Sequence, residues 1–330
     1  MPDPARSEDP AARDYPVLRK WYFCANEGAL RGDNFKLLRA AIQSCLRHTD
    51  LQPHCLYVGG KAPALRVMRD LGVTVIRHAP SLEPWLRPAY GPDYETFAGH
   101  WLRIDIPRIE TEDDHVLYTD IDVLFRPLPA LIDGPELLAV APERWRTRAE
   151  PFNSGVMLMH LPGLRAVDDA FRAAIRARLQ GDFTWPTHDQ ASFNAFFRGR
   201  TDPLPLSMNW KPYWGRNDAA HIVHFHGPKP RMAAKLAAGE ARGLDAGQAR
   251  LHGLAPAAYR HYGALFRAEL REPAGQRPAR STRIRPRSEV PPPGAADRLA
   301  TSVGARRAWA GDIARAVLGR LRETRPQRGS

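Results

Sequence analysis

The chain has 330 residues, with 43% hydrophobic and 25% charged side chains, enough to bury a core as one large α/β domain or two modest ones. No apolar run reaches the roughly eighteen residues of a membrane-spanning helix, and the polar stretch 1–14 lacks the apolar centre of a secretory signal, so a cytoplasmic protein is expected. The net charge of +12 lies wholly after Pro230, where 20 Lys and Arg face 8 Asp and Glu; before it there are 28 of each, so any role for basicity concerns the tail.

Taken in order, Trp21 to Asn26 reads as a buried strand with a polar end. Phe35, Leu38, Ile42, Cys45 and Leu46 recur at helical spacing from Asn34 to about His48. Cys55 to Val58 is a second strand closed by Gly59-Gly60. Leu65, Met68 and Leu71 mark a helix stopped by Gly72, and Val73 to Ile76 is a third strand. This alternation predicts a parallel sheet with right-handed crossovers. Cys24, Cys45 and Cys55 thus fall in strand, helix and strand. Their odd number and lack of zinc-type spacing mark them as small buried hydrophobes.

Residues 81–93, rich in Pro and aromatics, read as a loop. Phe97, Trp101 and Ile104 then give one helical face that carries Arg103, equally readable as a solvated charge. His115 to Phe125 follows: an apolar run stopped by Asp120 and Asp122. Residues i and i+2 of an extended chain point the same way, so both carboxylates can reach one cation. The plainer reading is a polar turn after a core strand. In an open α/β sheet, ligands bind outside the carboxyl ends of strands, where Asn26, Asp120 and Asp122 fall.

Further on, Leu137 to Val140 and Val156 to Met159 read as strands, the latter opened by Phe152-Asn153-Ser154-Gly155. Val167, Phe171, Ile175 and Leu179 mark a helix, and 188–194 begins another. Trp85, Tyr90, Trp210 and Trp214 read as packing or as acceptor platforms, and Lys211 as surface charge. His221 to His226 is a strand that empties into Gly227-Pro228-Lys229-Pro230. The expected divisions are a flexible start at 1–18, a catalytic domain at 19–231, a helical extension at 232–271, a Pro/Arg-rich linker at 272–294 too polar to bury itself, and a basic amphipathic helix and tail at 295–330. In that last helix Trp309 lies on the apolar stripe, which suits an anionic membrane surface as well as it suits packing on the domain.

Asp120, Asp122 and a later His224 at a strand end form a hard-cation ligand set with room for pyrophosphate oxygens. His226 shares that face and is an alternative ligand. A lysine just after a glycine turn would carry phosphate charge as a leaving group departs.

Together with Asn26, Trp101-Leu102-Arg103, Asn153-Ser154-Gly155-Val156, Asp189-Gln190 with Asn194, and His224 through Pro230, the Asp-x-Asp strand resembles the GT-A glycosyltransferases of family 8. These include the bacterial lipooligosaccharide galactosyltransferases and glycogenin. The likeness runs from about Trp21 to Pro230. It implies an α/β fold with a Rossmann-like, mostly parallel sheet flanked by helices. It further implies a hexosyltransferase using a nucleotide-diphosphate sugar, such as a UDP-sugar, and a glycan or lipid-linked acceptor, with retention of configuration.

By that resemblance Asp120, Asp122 and His224 hold Mn²⁺ or Mg²⁺, and Gly227 and Lys229 meet the diphosphate. Asn26, Arg103 and Asn153-Ser154-Gly155 approach the donor, Asp189 binds a sugar hydroxyl, and Gln190 lies beneath the anomeric carbon. Two departures stand out. Family members often have one more residue between the glycine and the lysine and a Trp after Lys-Pro, where this chain has Arg231; and Ala191 stands where an acidic residue is common.

Rival readings are a nucleotidyltransferase and a non-catalytic sugar-nucleotide binder whose basic tail meets nucleic acid or membrane. The first strand is not followed by a Gly-rich basic loop, and the tail contains no nucleic-acid module, so specific nucleic-acid binding is not expected.

Overall fold

The computed structural model describes residues 15–60, 63–147, 149–181, 189–240, 245–271 and 281–290. The first five elements are β1 (Lys20–Ala25), α1 (Gly32–His48), β2 (Gln52–Tyr57), α2 (Pro63–Asp70) and β3 (Thr74–Arg77). The three strands pair in parallel, with Phe23, Cys55 and Val75 in register across them. Helix α1 buries Leu38, Ala41, Ile42 and Cys45 with the sheet, the stripe that its helical spacing requires.

The expected loop at 81–93 is instead a helix, α3 (Glu83–Tyr90), followed by a short 3₁₀ turn. Pro84 stands in the first turn, where no intrahelical N–H is needed, and Leu82, Leu86 and Tyr90 bury one face. Pro84, which reads as a loop marker, is here a helix starter, and Pro88 lies inside the helix. Helix α4 (Tyr94–Trp101) passes into a 3₁₀ turn at Leu102–Asp105 and then α5 (Ile106–Ile109), so Phe97, Trp101 and Ile104 do not share one continuous α-helix.

Strands β4 (His115–Thr119), β5 (Val123–Phe125), β6 (Leu131–Asp133), β7 (Leu138–Pro142) and β8 (Phe152–His160) follow, then α6 (Leu161–Gln180), α7 (Asp189–Phe196), β9 (Asp202–Pro203) and β10 (Ile222–His224). Position 188 lies outside the described residues. The main sheet runs β3-β2-β1-β4-β8-β7-β9. β4 is parallel to β1, and β8 is antiparallel to both of its neighbours, β4 and β7. One reversed strand among parallel ones therefore brings its amino end to the edge where the others end. Strand β4 is buried on both faces, with Leu117 in one core and Val116 and Tyr118 in the other, which explains its unbroken apolar run.

The basic extension also joins the body. It forms α8 (Pro230–Ala237), α9 (Ala246–Leu254) and α10 (Pro256–Arg271). Tyr262 and Phe266 of α10 share a core with Leu37 and Ala40 of α1 and with Phe225. Arg47 and Glu269 form a buried ion pair at 2.9 Å.

Part of the expected linker is folded as well. β11 (Arg283–Arg285) pairs in parallel with β6. Leu18 N–H donates to Thr282 O, Ile284 N–H to Pro16 O and Gly134 N–H to Arg285 O, each at 2.8 Å. Ile284 is 2% exposed in the main core, and Tyr15 and Leu18 of the expected flexible start are buried too. One isoleucine amid arginines does not register as a core residue in composition, but its neighbours need not be apolar when their backbone completes a ladder. Residues 295–330, expected as an amphipathic helix and tail, lie outside the described residues. No described helix is long and apolar enough to cross a membrane.

Ile284→Ala in the full chain is expected to cost about 2–4 kcal/mol, the usual loss for emptying a buried isoleucine site. Ending the chain at Arg271 should cost at least as much. Urea unfolding checks both, and a wild-type midpoint for either would show that this segment holds nothing.

Candidate active site

Asp120 leaves β4 where β8 begins, and its N–H donates to Gly155 O at 2.8 Å. Three residues later β5 pairs antiparallel with β10, setting His224 opposite Val123, and Phe225 N–H donates to Asp122 O at 2.9 Å. Asp120, Asp122 and His224 thus converge although about a hundred positions separate them in sequence. Their three ligand atoms lie within 4.8 Å of one another. His224 Nε2 is 3.5 Å from Asp122 Oδ1 and 3.9 Å from Asp120 Oδ2. Two donors on one Mg²⁺ or Mn²⁺ stand at most about 4.2 Å apart, so these spacings suit a shared ion. His226 points elsewhere, its Nε2 2.9 Å from Glu143 Oε1 and its Nδ1 3.1 Å from Tyr213 Oη.

Two features fit the cluster to a cation. His224 Nδ1 meets Asn209 Oδ1 at 3.0 Å, and an amide oxygen can only accept, so the proton sits on Nδ1 and the Nε2 lone pair faces the carboxylates. Burial lowers the pKa of His224, although Asp122 opposes this, and keeps the ring neutral as a ligand must be. The second feature is Gly155. A Cβ there would stand 2.4 Å from His224 Cε1 and 2.6 Å from Asp120 Oδ2, so the backbone of β8 forms the floor of the site. Burial would raise the pKa of Asp122, but Lys229, in direct contact with it, holds that carboxyl well below its ordinary value.

Arg103 is no solvated charge. It is 5% exposed, pairs with Asp189 Oδ2 at 2.5 Å, lies 3.3 Å from Asp120 Oδ1 and donates to Ser154 O at 2.6 Å. It therefore ties the Asp-x-Asp strand to the start of α7. The next residue, Gln190, accepts through Oε1 from Ser154 N–H at 3.0 Å, Ser154 Oγ at 3.1 Å and Asn153 Nδ2 at 3.3 Å. Its Nε2 has no partner among the described residues. Asn153 Oδ1 accepts from Asn209 Nδ2 at 2.9 Å, so one amide chain runs from Gln190 to the histidine of the cluster.

Other expected residues are placed differently. The amide of Asn26 is taken up by Glu95 O and Thr96 O, both at 2.9 Å, where it fastens β1 to α4. Gly227 adopts φ +91°, and a side chain there would meet Leu251, so this turn is reserved for glycine.

Lys211 is fully buried rather than surface charge. Its Nζ donates to Pro142 O at 2.8 Å and Asn209 O at 3.3 Å and lies over the Trp214 ring. Burial pushes its pKa down to about 7, against the pull of Glu143.

Asn209 and Glu143 go unmarked in the sequence reading. Glu143 directly follows β7, so the strand-end rule that singles out Asp120 would have found it. It accepts from Asn153 Nδ2 at 2.8 Å, and its pairing with His226 overcomes the opposing effect of burial to hold its carboxyl down to about 2.

This architecture has solved counterparts. The galactosyltransferase LgtC, in complex with donor and acceptor sugar analogues, matches with a TM-score of 0.50 at 20% identity, over 71% of this chain and 94% of that one. The chain has the GT-A fold. The glycosyltransferase GlyE of Streptococcus pneumoniae TIGR4 in its apo form matches with a TM-score of 0.48 at 17% identity, over 65% of this chain and 56% of GlyE, so the chain spans little more than half of that protein. Mouse xyloside xylosyltransferase 1 matches at 0.45 and 16% identity, over 63% of this chain and 97% of that one. No protein-family model and no curated protein matches.

Asn209→Ala frees the His224 tautomer and should weaken Mn²⁺ binding by about 10–100-fold, as losses behind a metal-bound histidine usually do. Gly155→Ala should abolish it by filling the site. Calorimetric titration with Mn²⁺ reads both, and wild-type affinity in either would remove the assigned geometry. Lys211 gives a pH signature. Its folded pKa is depressed, so the unfolded chain binds the extra proton between about pH 7 and 10 and stability rises with pH there, by up to about 1.4 kcal/mol per unit. Urea unfolding across that range should show the slope in wild type and lose it in Lys211→Met.

Proposed function

We propose that this protein transfers a hexose from a nucleotide-diphosphate sugar, a UDP-sugar, to a glycan or lipid-linked acceptor with retention of configuration. The observation that carries this reading is the convergence of Asp120, Asp122 and His224 on a GT-A fold, linked through Asn209 and Asn153 to Gln190. The three ligands would hold Mn²⁺ or Mg²⁺, which supplies positive charge to a departing diphosphate.

The chain's own groups account for the rest. Asp120, Asp122 and Asp189 carry three negative charges against the two positive charges of Arg103 and Lys229. A divalent ion turns that balance from net negative to net positive, the sign that draws a diphosphate. Lys229 stands at Asp122 and after the Gly227 turn, placed to exchange its carboxylate for phosphate oxygen.

Arg103 and Asp189 constrain one another, so Asp189 keeps a fixed carboxylate with which to meet a sugar hydroxyl. Gln190 is fixed by its oxygen, and its Nε2, unpartnered among the described residues, is the group to orient the donor or face the anomeric carbon. These are rigid supports, and such preorganisation favours the transition state over the ground state.

Asp122→Asn is nearly isosteric and should leave folding intact while lowering donor turnover about a hundredfold or more, the loss expected when charge neutralisation of the leaving group is removed. Excess EDTA should do likewise. Gln190→Ala should depress kcat more than it raises donor KM. A panel of nucleotide sugars assayed for Mn²⁺-dependent hydrolysis and product anomer tests all of this. Full turnover in EDTA, or an inverted product, would overturn the reading.

A further inference from the structure

The loop after β7 begins at Glu143 and carries Arg144, Trp145 and Arg146, all exposed. Trp145 is 49% exposed, one of the few large hydrophobic side chains left open on the described surface. The Arg144 guanidinium lies over its ring at 5.0 Å, and that of Arg146 over Trp210 at 5.7 Å. Neither arginine has a carboxylate partner among the described residues, whereas Arg103, Lys229 and Arg231 all have one.

The loop is held in place. Trp214 Nε1 donates to Arg144 O at 2.7 Å and Tyr213 Oη to Glu143 O at 3.0 Å. It is also continuous with the active site, because Glu143 binds Asn153, which in turn binds Gln190.

Resting on the transferase reading above, we propose that Arg144, Trp145 and Arg146 form the acceptor subsite and that the acceptor is an anionic sugar bearing a phosphate or carboxylate. An open indole offers a flat apolar face for a pyranose ring. Two guanidiniums resting on aromatic rings, with no counter-ion among the described residues, offer forked donors for an anion. A neutral glycan would leave both without a partner. The place favours a sugar over a lipid surface: Trp145 stands two residues from Glu143, whose carboxylate touches the amide chain that leads to Gln190, and the loop presents one ring rather than an apolar stripe.

The test uses the full-length protein with Mn²⁺ and saturating UDP, so that the donor site is filled. Glucose 6-phosphate, glucuronate, glucose and inorganic phosphate are titrated by ligand-observed NMR. One or both anionic sugars should bind about five- to tenfold more tightly than glucose, as two exposed charge contacts allow. Which of them does so identifies the anion. Arg144→Gln with Arg146→Gln should erase the advantage. Trp145→Ala should weaken every sugar and leave inorganic phosphate unchanged.

Equal binding of glucose and both anionic sugars would overturn the proposal. So would inorganic phosphate binding as tightly as glucose 6-phosphate, a fall in UDP binding in the arginine double variant, or a loss in that variant of phosphatidylglycerol-vesicle binding with sugar binding unmoved. Failure of the underlying reading shows separately, as the absence of any Mn²⁺-dependent thermal shift with UDP in the wild type.

Discussion

Everything in the cleft depends on how closely the backbone of β8 passes beneath the side chains of Asp120 and His224. That approach is possible only at a residue without a Cβ, and Gly155 provides it. Reversal of β8 within an otherwise parallel neighbourhood then decides which residues share the edge. Asn153, Ser154 and Gly155 lie beside the ends of β4 and β7 because β8 starts where they stop. Carboxylates, amides and guanidinium from distant parts of the chain meet there as a consequence of strand direction.

The electrostatics follow from the same placement. Each buried charge in the cleft has a counter-charge or a hydrogen bond, as burial demands. Arg103 faces Asp189 and Asp120, Lys229 faces Asp122, and Glu143 faces His226. These contacts hold the groups in fixed positions without a ligand. The exposed arginines after β7 contrast with them, since they rest on indole rings and have no carboxylate partner among the described residues.

Much of this was legible in the sequence, for physical reasons. Val116 to Tyr118 is apolar on both faces because both faces are covered, and period and length suffice to see that. Asp120 and Asp122 share a direction because extended chains alternate. His224 was placed by resemblance together with its strand end, and its pairing with Asp122 required the β5–β10 contact that no local pattern encodes. The same limit explains the misses. Lys211 looks like any surface lysine until Pro142, Asn209 and Trp214 surround it. The prolines of α3 suggest a loop until Leu82, Leu86 and Tyr90 find a shared core. Ile284 is hidden in an Arg/Pro segment because its partners, Leu18 and Ile132, are far away in sequence.

The pairing of β11 with β6 and with residues 16–18 has a consequence for the order in which the protein is made. Leu18 and Pro16 are made more than two hundred positions before their backbone partners Thr282 and Ile284. At roughly 5–20 residues per second of synthesis, residues 16–18 wait tens of seconds for those partners. Its edge beside β6 stays open during the interval. The nascent sheet can assemble around β1, β4 and β8 beforehand, but its seam with β11 closes only once residues 283–285 have been made.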